Sequence, residues 1–204
     1  MKPPIFTEES VSEMAVPRFK EHKTTQIAVL LVKYSGGKID LYKLIKLIYL
    51  IDRESLKRRG HPVTFDRPYN LPLGPTPSHT YHLIWNPWDG EYWSRSFSLP
   101  KKNIIRLLNN DIGDGELSQF EMNLIREIYE KFKNKSFNEL KKYVHSLPEF
   151  DDPGHSSAPM EWDRLLKAVG WTGDDLVAIR KEFNAIAMFE NMIDNTTVSE
   201  KTRE

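Results

Sequence analysis

The sequence predicts a predominantly α-helical α+β fold, a helical bundle around a central buried helix with one small β-hairpin or ribbon. Three observations carry that expectation. Leu41, Leu44, Ile45, Leu47, Ile48, Leu50 and Ile51 cover more than half of a helix circumference at about 100° per residue. Ser118 with Glu121, and Ser136 with Glu139, have the capping-box spacing of two further helix starts. Extended apolar segments are few and short, chiefly Glu91–Leu99 and Asn103–Leu108.

Along the chain, residues 1–22 read as a flexible N-terminal arm, because Pro3, Pro4 and Pro17 interrupt a polar segment without a sustained period. The domain spans 23–194. Thr24 or Thr25 can cap a first helix carrying Ile27, Leu30, Leu31 and Tyr34, ended by Gly36-Gly37. In the central helix, Lys57, Arg58 and Arg59 fill the last turn, Gly60 offers a left-handed cap and Pro62 blocks continuation. Val63-Thr64-Phe65 reads as a short strand. Thr76-Pro77 has the N-cap and N1 chemistry of a short helix through Leu83, Ile84 and Trp85, and Asn86–Gly90 is a turn. The stretches 91–99 and 103–108 are then expected to form the β element.

Phe120, Leu124, Ile125, Ile128 and Phe132 follow the first capping box at helical spacing, and Phe137, Leu140 and Val144 follow the second. Pro148 closes that helix, and 149–159 is an acidic loop. Trp162, Leu165, Leu166 and Val169 form a helix stopped by Gly170. Thr172 with Asp175 starts the last one, carrying Leu176, Ile179, Phe183 and Ile186. Residues 195–204 read as a disordered tail.

Composition narrows function. The 204 residues suffice for one well-buried domain, and 29 basic residues balance 29 acidic ones, so no global field draws the chain to nucleic acid. The sequence has no cysteine, which excludes disulfides, thiolate metal sites and cysteine nucleophiles. No apolar run is long enough to span a membrane, and the N-terminus lacks a signal-peptide-like segment; the expected location is cytoplasmic. There is no Gly-x-Ser-x-Gly, no His-Glu-x-x-His and no glycine-rich phosphate loop. His79 with His82, and Asp151 with Asp152 and His155, are two loose clusters that lack a spacing-fixed ligand set and read as ordinary polar residues. No enzyme, metal or cofactor is expected.

Tyr42, Lys46, Tyr49 and Arg53 share one narrow stripe of the central helix. Tyrosine and arginine anchor protein interfaces, so this stripe is a candidate docking surface, and Tyr69, Pro72, Gly74 and Pro75 either extend it or fix the loop that satisfies Asp52. The alternative is an amphipathic face whose tyrosines cover the core edge while Lys46 and Arg53 are solvated. Trp85, Trp88 and Trp93 are read as core rather than platform. Asp52 lies inside the apolar arc and must find backbone N–H donors or an arginine, Arg67 being one candidate.

The run KLIKLIYLIDRESLKRRGHPVT, followed by DRPYNLPLGPTPSHTY, resembles the Panacea domain of SocA-like antitoxins. The family's pattern falls on Lys43, Leu44, Lys46, Leu47, Tyr49, Asp52, Gly60, Pro62, Gly74 and Pro75. Ile45 stands where glutamine is usual, and Thr76 where valine is preferred. The resemblance is strong over 41–81 and continues more weakly to about residue 170. It implies an antitoxin that neutralises a cognate toxin by direct protein contact, with Tyr42, Lys46, Tyr49, Arg53 and Tyr69 as toxin-binding candidates and Asp52, Gly60, Pro62, Gly74 and Pro75 as structural ones. In the SocA branch the resemblance implies instead a proteolytic adaptor that delivers toxin to a Clp-type protease. A metal-dependent enzyme and a phage regulatory protein binding nucleic acid, through a patch at Lys57, Arg58 and Arg59, are the readings from other classes.

Overall fold

The computed structural model describes residues 14–108, 113 and 115–201, with side chains through residue 193. Its centre is helix α2 (Leu41–Arg59), which packs against α1 (Glu21–Tyr34), α5 (Gln119–Phe132), α6 (Phe137–His145) and α7 (Trp162–Ala168). Leu41, Leu44, Leu47, Ile48 and Ile51 of α2 are inaccessible to solvent, and the core forms around them. The helix begins where the Asp40 carboxylate accepts the Lys43 N–H at 3.0 Å, and ends at Gly60 in the left-handed conformation at φ 77°. Both expected capping boxes are present, at Ser118 with Glu121 and Ser136 with Glu139.

Around this bundle lie two small antiparallel sheets. In one, β1 (Lys38–Asp40) pairs with β4 (Ile104–Arg106); in the other, β2 (Pro68–Asn70) lies between β3 (Thr76–Pro77) and β5 (Ala158–Pro159). The predominantly helical α+β class and the small ribbon are therefore as the sequence predicts. The ribbon's details differ. Glu91–Ser96 is helix α4, because Glu21 accepts the Trp93 and Tyr92 N–H groups at its start and Trp93 and Phe97, four apart, are both buried in the core. The chain then turns at Lys101–Ile104, Phe97 bridges Leu107, and the unforeseen partner β1 pairs with the outer side.

Three local readings are corrected. Val63–Phe65 is a loop: Phe65 has φ 51°, outside the strand region, and the N–H groups of Val63 and Thr64 turn to Asp52. Thr76-Pro77 is strand rather than helix start; α3 (Ser78–Trp85) is capped by the distant Asp66, which accepts the His79 and Thr80 N–H groups at 2.8 Å each. Helix α1 starts at Glu21, with Thr24 and Thr25 inside it bonding back to the carbonyls of Lys20 and Glu21. Of the tryptophans, Trp93 is fully buried whereas Trp88 is 66% exposed.

Residues 1–13 lie outside the described residues. From Met14 the chain runs along α8 (Gly173–Lys201): Ala15 N–H donates to Asn184, Arg18 N–H to Glu190, and Lys20 pairs with Glu190. Helix α8 continues past Asn195, where the sequence reading sets the tail, to Lys201; residues 202–204 lie outside the description.

Candidate functional site

The stripe on α2 faces inward for most of its length. Lys46 is 1% exposed, and its Nζ donates to the carbonyls of Gly74 (2.9 Å) and Pro75 (2.6 Å) and to Thr76 Oγ1 (3.1 Å). Three oxygens thus meet the three donors of an ammonium, with no counter-charge. Burial, with Lys141 adding repulsion, lowers its pKa to about 7. Lys46 therefore holds the Gly74-Pro75 turn against the central helix. Gly74 is required there twice over: its φ is +97°, and a Cβ would stand 2.8 Å from Val144 Cγ2.

One and two turns further on, Tyr49 and Arg53 converge on Glu149, a residue of the acidic loop with no solvent exposure. Tyr49 O–H donates to Glu149 Oε1 at 2.8 Å; Arg53 Nε and Nη2 donate to Oε1 and Oε2 at 2.5 and 3.1 Å. This is a bidentate, desolvated ion pair closed by a phenol. Burial, reinforced by Glu149, raises the Tyr49 pKa well above its ordinary value. Tyr42, at the other end of the stripe, is partly exposed with its ring 5.5 Å from Phe137. Tyr69 is buried in β2, paired with Thr76 and Pro159, and lines a cavity of about 190 Å³ with Met14, Val16, Met160 and Trp162.

Asp52, one turn from Tyr49 on the flank of the stripe, satisfies the loop after Gly60. Its Oδ1 accepts the Val63 and Thr64 N–H groups at 2.9 Å each, and Thr64 O–H donates to Oδ2. Backbone donors fill the role expected of them, whereas Arg67 is exposed and takes no part. Burial raises the Asp52 carboxyl to about 7 against the pull of the Thr64 bonds. Thr64 Oγ1 in turn accepts the Asp66 N–H, linking Asp52 to the cap of α3. Gly60 abuts Ile179, a Cβ there falling 3.0 Å from its side chain, and Pro62 is buried beside it.

The structure therefore joins Lys46 with Gly74 and Pro75, and Tyr49 with Arg53. Asp52 serves a different loop, after Gly60, yet Asp52 and Pro62 line one small cavity with Tyr49 and Arg53. Sequence reasoning missed Glu149, Asp66 and Thr76. The available signal for Glu149 was an arginine one turn from buried positions, which requires an acid from some loop. His79 sits by Asp66 and His82 by Asp89, in separate pairs; Asp151 meets Arg164, and Asp152 accepts the Gly154 N–H. Among the described residues no three His, Asp or Glu side chains gather as a metal site, and no helix is long and apolar enough to cross a membrane.

A helical core whose inward polar groups are matched to backbone and to each other defines a scaffold that shapes loops. The family of SocA-like antitoxins with the Panacea domain matches residues 44–149, just over half of the chain, and the chain belongs to it. Membership supports an antitoxin role and the existence of a toxin partner. No curated protein and no solved structure matches the chain.

Proposed function

We propose that this chain is the cytoplasmic antitoxin of a toxin–antitoxin pair and neutralises its cognate toxin by direct protein–protein contact, without catalysis. The observation that carries the reading is the family match centred on α2 and its loops. The geometry supports a division of labour. Lys46, Tyr49 and Arg53 serve the toxin contact indirectly, by fixing the buried Gly74-Pro75 turn and Glu149, beside which Pro72, Pro148, Asp151 and Asp152 are exposed. Tyr42 contributes directly at the rim.

The test is co-expression with the neighbouring gene. Toxicity of the neighbour alone, rescue by this chain and co-purification of the two as a stable complex are the expected results. Rescue accompanied by protease-dependent loss of the neighbour would replace blocking with delivery to a Clp-type protease. A harmless neighbour that forms no complex would refute the antitoxin reading.

A further inference from the structure

The ribbon beside the start of α2 breaks two local rules at once. Lys38 of β1 stands directly opposite Arg106 of β4, a like-charged cross-strand pair that destabilises a sheet. The turn that begins β4 has Lys102 at φ 51° and Asn103 at φ 59°, with reciprocal bonds between Lys101 and Ile104 of 3.2 and 3.0 Å. That is a two-residue hairpin turn of the type that favours Asn-Gly, here with a lysine in the left-handed region. Both features cost stability.

The register decides where these charges point. Ile39 and Ile105 are paired and buried, so the alternate positions face outward together: Lys38, Arg106, Ile104 and, across the turn, Lys101. Lys38, Lys101, Lys102 and Arg106 are all exposed, and among the described residues none of them takes part in an ion pair. Asp40, the acid on this face, is committed to the N-cap of α2. The ladder continues through the bond from Leu108 N–H to the Ser96 carbonyl, which puts Leu108, 62% exposed, at the end of the same face. The mount is rigid, because the Asn103 carbonyl accepts the Leu41 N–H at 2.8 Å, tying the turn to the first residue of the central helix.

We propose that this cationic ribbon face is where the cognate toxin docks, through an acidic patch of its own. The inference rests on the antitoxin reading. Repulsion retained in a strand pair whose acid, Asp40, is held at the N-cap of α2 is relieved when a partner supplies carboxylates, and arginine is among the residues that anchor interfaces. Nucleic acid fits less well: the face carries no aromatic ring on which a base stacks, and the chain as a whole has no net charge.

The test compares the full-length wild type with the triple variant Lys38→Glu/Lys101→Glu/Arg106→Glu in rescue and in binding to the purified toxin at two ionic strengths. The expected result is a wild-type affinity that falls with salt, and a variant at least about 10-fold weaker that fails to rescue while melting like wild type. If charge reversal prevents folding, the triple serine variant serves, with the same expected loss of binding. A folded variant that binds and rescues like wild type overturns the docking inference and leaves the antitoxin reading standing. Absence of rescue and of complex with the wild type itself overturns both. A variant that keeps the toxin but loses salt-sensitive binding to duplex DNA or RNA assigns the face to nucleic acid and refutes the proposal.

Discussion

Replacing Glu149 by alanine tests whether the buried cluster is as tightly coupled as its geometry requires. Glu149 has no exposure and accepts three hydrogen bonds, one from Tyr49 and two from Arg53. Breaking a buried ion pair by removing one partner costs about 3–5 kcal/mol, chiefly because the remaining charge is left desolvated. Arg53 retains 14% side-chain exposure and Tyr49 O–H keeps a weak acceptor, Met160 Sδ at 3.7 Å. Water therefore reaches the orphaned guanidinium, and the expected loss lies at the lower end, about 3 kcal/mol. For a chain of this length that corresponds to a fall in Tm of roughly 6–12 °C.

The assay is urea unfolding of wild type, Glu149→Ala, Arg53→Met and the double variant, analysed as a cycle. Arg53→Met strands a carboxylate with no exposure and is expected to cost at least as much as Glu149→Ala. The double variant is expected to cost less than the sum of the two. A loss below about 1 kcal/mol for Glu149→Ala, or strictly additive single effects, refutes the coupling.

Two further outcomes follow from the same geometry. Gly74→Ala meets both a φ of +97° and Val144 Cγ2 at 2.8 Å, so it is expected to cost about 2 kcal/mol or more, whereas Gly36→Ala, at φ +77° with open space around it, is expected to cost only about 1 kcal/mol; equal melting temperatures for the two variants would contradict the close-packed turn. Burial raises the Asp52 carboxyl to about 7 in the folded chain, so the folded state binds its proton more tightly than the unfolded one. This contribution is fully present below about pH 4 and is lost as pH rises through about 7, with a ceiling of about 1.4 kcal/mol per pH unit that the side chain's partial exposure reduces. Asp52→Asn removes the loss, and is expected to gain stability relative to wild type between about pH 4 and pH 7.5; parallel urea midpoints across that range would show that the carboxyl is not perturbed.

What the sequence disclosed was set by how local the determining contacts are. Helix α2 was legible because its periodic leucines and isoleucines, its basic last turn, Gly60 and Pro62 all lie within a few residues of one another. The capping boxes at Ser118 and Ser136 are four-residue devices and were read correctly. Glu149 was not legible, because nothing near it announces Arg53, which is 96 residues away in the chain. The cap of α3 was misplaced for a similar reason: Thr76-Pro77 has the right chemistry, yet Asp66, outside the local window, reaches the N–H groups first. Lys46 reads from the sequence as a docking residue or, alternatively, as solvated, because a lysine on a helix edge ordinarily reaches the surface. Only the folded chain brings the Gly74, Pro75 and Thr76 oxygens to it.

The two departures from the family pattern acquire a physical meaning from that arrangement. Ile45, where glutamine is usual, is 1% exposed among the leucines of the core, so a polar contact there has been exchanged for packing. Thr76, where valine is preferred, offers through its Oγ1 the third acceptor for Lys46 Nζ, which a valine cannot provide. Thr76 thus completes the satisfaction of a buried ammonium beside the turn, while Ile45 packs into the core one residue earlier in the helix. The pattern that marks the family is thus largely interior: Lys46, Tyr49, Asp52, Gly60 and Gly74 each answer to the chain's own backbone or to a buried partner. On the proposed antitoxin reading, discrimination among toxins falls to exposed positions outside the pattern, and the outward residues of the ribbon, anchored through Asn103 to the first turn of α2, are carried on the same rigid frame.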